Sequence, residues 1–153
     1  MKRFFIFTVL GAILGLLVCC GTHKKAFSEV RNVEFTVLRN YYFNSDAIVP
    51  ANPVVTTREQ FEKLFGAAAV MGKDGIPTAI DFKRQFVIGI VLPLTNDETE
   101  VVPTHLTTDG KMLVLYYKVN MGARNMSSTM RPMALVAVDR LYLAGECLLQ
   151  REW

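Results

Sequence analysis

The most continuous apolar run after residue 20 covers residues 86–92 and reads Phe-Val-Ile-Gly-Ile-Val-Leu. A run of this length without polar alternation is typical of a strand that is covered on both faces. Pro93 ends the strand, because proline lacks the backbone N–H that a sheet ladder needs. The sequence therefore predicts a central strand that needs cover on both of its sides.

Other segments have the pattern of strands with one covered face. Val33, Phe35 and Val37 alternate with polar residues, which is the period of two of a half-buried strand. Asp109-Gly110 supplies the positive φ values of a tight hairpin turn. The remaining strand-like segments are residues 104–107, 112–119, 133–138 and 142–149.

One helix is well marked. The threonines at positions 56 and 57 each precede Glu or Gln by three residues, the pattern with which side chains satisfy the free backbone donors of a helix start. Phe61, Leu64 and Phe65 share one face at helical spacing. Gly66 is predicted to end the helix in a left-handed conformation.

One helix against six or seven strands predicts an α+β fold. Most connections are too short for a parallel crossover, so the strands should be antiparallel. Our first expectation is an antiparallel twisted sheet of six or seven strands with one short helix packed on it, and a small two-sheet sandwich is the alternative.

The leader resembles a bacterial lipoprotein signal. Lys2 and Arg3 precede the uncharged residues 4–18, and Leu17-Val18-Cys19-Cys20-Gly21 has the form of a lipobox. The resemblance implies that Cys20 is acylated, for example with palmitate, and becomes the first residue of the mature chain. An uncleaved span and a leader cut without lipidation are the alternatives, but the run is shorter than the roughly 20 apolar residues that cross a bilayer.

This interpretation divides the chain into a signal peptide at residues 1–19, a lipid-anchored tether at 20–31 and a single domain at 32–153. Gly21 after the lipidated cysteine favours the outer membrane, facing the periplasm. Loss of Lys2 and Arg3 lowers the net charge from +3 to +1, and the remaining basic residues are scattered. Because nucleic-acid binding needs a clustered basic face, we exclude nucleic-acid-binding proteins as a class. We expect the domain to be a monomer.

The sequence offers no catalytic or metal-binding constellation. The two histidines are His23 in the tether and His105 in a predicted strand, too few for a three-histidine zinc site. No serine lies in a nucleophile elbow that His105 could serve. Cys147 is interpreted as a buried small hydrophobe. The carboxylates of residues 97–100 do not have EF-hand spacing and are interpreted as a solvated turn. We therefore predict no cofactor and no catalytic residue.

The segment at residues 120–131 is the candidate binding loop. It mixes flexible thioethers with guanidinium groups, a combination that suits an adaptable contact surface. The alternative is a mobile loop whose methionines pack on the edge of the core. The candidate binding residues are Met121, Arg124, Met126, Met130 and Arg131.

The order of features from residue 54 to 138 resembles the C-terminal domain of PrcB-type protease-complex subunits. The matching features are the helix start at 56–65, Ile80-Asp81-Phe82 before the strand at 86–92, and Arg131-Pro132 before a late strand. The resemblance implies a domain that docks onto an exported protease and has no catalytic residues of its own.

The leading hypothesis is thus a non-enzymatic, lipid-anchored binding or accessory module of the envelope, attached to the membrane and to another envelope protein. A small hydrolase or metal-dependent enzyme that uses His105 is the first alternative. A structural envelope lipoprotein without a specific ligand is the second.

Overall fold

The computed structural model describes residues 29–68 and 75–153. The signal peptide, the lipidation candidate Cys20 and most of the predicted tether lie outside these residues. Strand β1 begins at Arg31, one residue before the predicted start of the domain. In the described ranges, no helix combines the length and apolar character required to cross a bilayer.

The described residues form ten strands in three sheets. The outer sheet has the order β1-β7-β8-β10, the central sheet β2-β9-β6-β4, and β3 pairs with β5 in a two-stranded ribbon. The strands are β1 Arg31–Val33, β2 Phe35–Leu38, β3 Tyr41–Phe43, β4 Val54–Val55, β5 Phe65–Ala67, β6 Gln85–Val91, β7 Thr99–Thr108, β8 Met112–Met121, β9 Met133–Asp139 and β10 Glu146–Arg151.

The outer and central sheets pack face to face around the larger of two apolar clusters. Phe86, Ile88 and Val136 of the central sheet contact a cluster that includes Leu113 and Leu115 of the outer sheet. All five side chains are fully buried. The arrangement is therefore a two-sheet sandwich, in which side chains of period two fill the space between the sheets.

The second face of the central sheet is covered by helix α1, Arg58–Leu64, and by the ribbon. Phe61 of the helix and Phe65 of the ribbon pack with Val87 and Leu135 of the central sheet. The helix starts as the sequence predicts, because the side chain of Thr57 accepts a hydrogen bond from the backbone N–H of Gln60 at 3.2 Å. The prediction that the strand at 86–92 is covered on both faces is confirmed.

The α+β class, the mainly antiparallel pairing and the single short helix of the described residues are confirmed. The expected single sheet of six or seven strands is wrong, since ten strands form three sheets. The antiparallel expectation also has one exception, because β10 runs parallel to β8. Strand β9 lies in the central sheet and β10 in the outer sheet, so the 3-10 turn Arg140–Tyr142 is a crossing between sheets.

Two local predictions are corrected. The alternation at residues 33–37 predicts one strand, but the chain leaves the outer sheet at Glu34 and enters the central sheet at Phe35. Val33 is therefore buried while Val37 is exposed. Gly66 does not end the helix; it lies in β5, where a side chain would overlap the ring of Tyr42.

Candidate functional site

Two connections between the sheets lie side by side at one end of the sandwich, and we call them the loop pair. The first is residues 92–98 between β6 and β7, and the second is residues 121–132, which are the last residue of β8 and its connection to β9. Thr95 and Met130 exchange two backbone hydrogen bonds of 3.0 and 2.8 Å. Glu98 donates to the carbonyl of Ala123 and accepts from Gly122, each at 2.8 Å. The predicted binding loop is thus paired along its length with a second loop.

Carboxylates fix the conformation of the loop pair. The Glu98 carboxylate accepts from the backbone N–H of Ala123 at 3.0 Å, and the Asp97 carboxylate accepts from that of Asn125 at 2.9 Å. A Cβ atom at position 122 would overlap the Glu98 carboxylate, so a larger residue there would displace this side chain. Asn125 has a φ of 53°, a left-handed conformation that asparagine tolerates. The acidic cluster therefore organises the backbone of the loop.

The five candidate binding residues have different environments. Met121 is 56% exposed and Arg124 is exposed, whereas Met126 and Met130 are half-buried. The guanidinium of Arg131 lies 5.3 Å from the ring centre of Phe43, and this cation–π contact ties the loop pair to the ribbon. Met121 and Arg124 are the candidates that offer the most free surface.

Sequence reasoning missed two contributions to this surface. Leu94, in the first loop of the pair, is 61% exposed and adds a large apolar side chain. The sequence predicts that Asp97 and Glu98 form a solvated turn, but their carboxylates also hold the neighbouring loop. The density of carboxylates was a visible signal, but nothing in the linear sequence brings residues 97 and 98 next to residues 123 and 125.

His105 lies on the open face of the outer sheet. Its ring stacks on Tyr116, with the two ring centres 4.1 Å apart and the planes within 10° of each other. Its Nδ1 is 3.3 Å from the Thr104 hydroxyl and 3.8 Å from a Glu152 carboxylate oxygen, and 44% of its side chain is exposed. The other Glu152 oxygen accepts a 2.7 Å bond from Thr104. Nearly half of the His105 side chain is therefore open to solvent on this face of the sheet.

Metal-binding and thiol chemistry have little support among the described residues. Within residues 29–68 and 75–153, no three His, Cys, Asp or Glu side chains come close enough to hold a metal ion. Cys147 is half-buried against the larger apolar cluster, and burial raises the pKa of its thiol to about 11. Because the thiolate is the reactive form, this cysteine is a weak nucleophile at neutral pH.

Comparison of the chain with models of known families, with curated proteins and with solved structures gives no match.

Proposed function

We propose that this chain is a non-enzymatic binding module, held at a membrane of the bacterial envelope by acylation of Cys20, and that the loop pair is its contact surface. The observation that carries the proposal is the combination of a fixed backbone with exposed, adaptable side chains. Eight hydrogen bonds between the two loops fix the backbone: six between backbone groups and two from backbone N–H groups to carboxylates.

A fixed loop is suited to binding because association then orders little additional backbone. Leu94, Met121 and Arg124 supply an apolar side chain, a flexible thioether and a guanidinium on this framework. Thioethers adapt to irregular partner surfaces, and arginine is enriched in the interfaces of protein complexes. The chemistry of the surface fits a protein partner better than a small polar substrate.

The partner that we would test first is an exported protease, as the resemblance to PrcB-type subunits suggests. In this proposal the anchor lies in the outer membrane and the domain faces the periplasm. The lipid contributes by confining the domain to the membrane surface, which raises its effective concentration toward partners in the same compartment.

The contact surface is tested by affinity capture from detergent-solubilised envelopes of cells that produce the full chain. We expect Met121→Ala with Arg124→Ala to reduce the recovered partner by about tenfold, since loss of two interface anchors commonly costs this much or more. Leu141→Ala is the matched control, because Leu141 is 84% exposed and lies in the 3-10 turn, outside the loop pair. Equal recovery with the double variant and the control would contradict the proposed surface.

The anchor is tested separately by the intact mass of the chain isolated from membranes. We expect a chain that begins at Cys20 and carries acyl groups, and a Cys20→Ser chain that is neither acylated nor retained in the membrane fraction. A wild-type chain that still begins at Met1, or that lacks acyl groups, would disprove the anchor and leave the binding surface open to its own test.

A further inference from the structure

One side of the sandwich is open between the edge strands β10 and β4. On the opposite side, the continuous segment Arg31–Leu38 supplies an edge strand to each sheet. On the open side, β4 has two residues and follows Pro53, which lacks an N–H group, so this edge is protected against pairing. Strand β10 has six residues in regular register, with no proline and no bulge.

The outward edge of β10 has backbone groups available for pairing. Glu152 donates its N–H to the carbonyl of Tyr117 at 2.8 Å. In a parallel ladder alternate residues bond the neighbouring strand, so the even-numbered residues of β10 bond β8. Cys147, Leu149 and Arg151 then direct their N–H and C=O groups away from β8, and of these groups the Arg151 carbonyl accepts a hydrogen bond of 3.3 Å from the Gln150 side chain. In the described part of the chain, β8 is the only strand that pairs with β10.

An apolar groove of about 260 Å³ runs beside this edge. Val49, Pro50 and Pro53 form one wall, Gly89 of β6 lies in it, and residues 147–149 of β10 form the other wall. Leu148 and Leu149 are 52% and 36% exposed, which is unusual for two adjacent leucines in a strand. A strand added to β10 would direct alternate side chains over this groove.

We propose that the occupant is a second copy of this chain, which adds its own β10 antiparallel to this edge with Leu148 facing Leu148 of the copy. The two outer sheets then become one sheet of eight strands related by a two-fold axis. Cys147 faces Leu149 of the copy in a hydrogen-bonded pair, because both residues direct their backbone groups outward. This pair occurs twice and covers the groove of each copy.

Side-chain chemistry selects both the occupant and the register. With Leu148 on the axis, the side-chain carboxylate of Glu146 can accept a hydrogen bond from the side-chain amide of Gln150 of the copy, and the symmetry repeats this contact. A shift that puts Leu149 on the axis would set Glu146 against Glu152 of the copy, two like charges directly opposite each other. A shift to Cys147 would set the Glu146 carboxylate against Leu148. Of these three registers, the one centred on Leu148 is therefore the complementary one.

The expectation of a monomer, made from the sequence, is replaced by this proposal. The sequence alone does not show that β10 is an edge strand, or which of its residues direct their backbone groups outward. Both are needed to see that β10 can pair with a second copy of itself. The proposal does not depend on the loop pair, which lies at the end of the sandwich rather than along its open side.

Disulfide trapping in the full chain tests the register. Residues on the axis form a non-hydrogen-bonded pair with a Cα separation of about 4.5 Å, which a disulfide can span. We expect Leu148→Cys to give a covalent homodimer on mild oxidation. Gln150→Cys is the matched control with the same number of thiols, and its two copies would be about 13 Å apart along the strands. Absence of a Leu148→Cys dimer above the control would overturn the proposal.

Charge at Gln150 tests the interface without risk to folding, because this side chain is exposed. In the Leu148→Cys chain, Gln150→Glu places a carboxylate against Glu146 twice and should lower the dimer yield about fivefold. Gln150→Lys should raise it. Equal yields for the two variants would contradict the pairing, and a Leu148→Cys adduct with a different protein would show that the edge serves another partner.

Discussion

The central and outer sheets differ in how many of their faces are covered. Along β6 of the central sheet, the consecutive residues Val87 and Ile88 point to opposite faces, and both are fully buried. Along β8 of the outer sheet, Leu115 is fully buried and its neighbour Val114 is only half-buried. The difference follows from the layers, since the helix and the ribbon cover the second face of the central sheet and leave the outer sheet open.

The two sheets also differ in what they contribute to stability and to the proposed contacts. The two apolar clusters that hold the sandwich together both include residues of the central sheet. The candidate binding surface, His105 and the unpaired edge strand all belong to the outer sheet or to its connections. We infer that the central sheet supplies the rigid framework, and that substitutions on the open face of the outer sheet alter contacts at less cost to folding.

The largest expected effects come from paired alanine substitutions in the two sheets. We expect Ile88→Ala and Leu115→Ala each to lower the free energy of unfolding by about 2–5 kcal/mol, because both remove fully buried methyl groups. Val87→Ala should cost roughly 2 kcal/mol and Val114→Ala less than about 1 kcal/mol. Urea denaturation measures all four. Equal costs at positions 87 and 114 would break the comparison.

A smaller effect is expected from the layer that covers the second face of the central sheet. Thr57→Ala removes the side-chain acceptor at the helix start and should lower the free energy of unfolding by about 1 kcal/mol. Thr57→Ser keeps the hydroxyl and should restore most of the stability. If thermal unfolding does not distinguish the alanine from the serine variant, the cap does not contribute to holding the helix on the sheet.

The loop pair, which connects the two sheets, should respond locally. Asp97→Ala removes the acceptor for the Asn125 N–H and should cost about 0.5–1 kcal/mol. Amide hydrogen exchange at Asn125 should be faster by about threefold or more, while amides of the central sheet remain protected. Asp97→Asn keeps an oxygen acceptor and serves as the control. Unchanged exchange in Asp97→Ala would mean that the carboxylate does not fix the loop.

The smallest effect is expected at the hairpin of the outer sheet. Backbone N–H groups of Lys111 and Met112 donate to the Asp109 carboxylate and lower its pKa from the ordinary value of 3.8. Because the pKa is lower in the folded state, this contribution is present above the unfolded-state pKa and is lost as pH falls through the folded-state pKa. Solvent screening keeps it small.

The measurement is thermal unfolding of the wild type and Asp109→Asn between pH 7 and pH 2. The wild type should lose its advantage as pH falls below about 4, where the carboxylate begins to take up a proton. A difference between the two chains that does not change with pH would assign the effect to hydrogen bonding alone.

Much of the local structure could be predicted because it depends on neighbouring residues. Thr57 and Gln60 mark the helix start, and Asp109-Gly110 marks a hairpin turn in which Gly110 has a φ of 86°. The apolar run at 86–92 predicts its two covered faces, because burial on both sides removes the need for polar alternation.

The assignment of strands to sheets could not be predicted in the same way. Alternation reports which residues share a face, but it does not report which sheet a strand joins. The short connection between β9 and β10 suggests a hairpin, yet it crosses between sheets and leaves β10 parallel to β8. At the candidate site, Met121 and Arg124 could be selected from composition, whereas the support from Asp97 and Glu98 depends on how two distant loops meet.

The passage of the chain from the outer to the central sheet at Glu34 determines how the sandwich can move. One continuous stretch of backbone borders both sheets there. The two sheets therefore cannot separate on that side without breaking the hydrogen bonds of β1 to β7 and of β2 to β9. We therefore expect thermal separation of the two sheets to begin on the side of β4 and β10, where solvent would enter the core first.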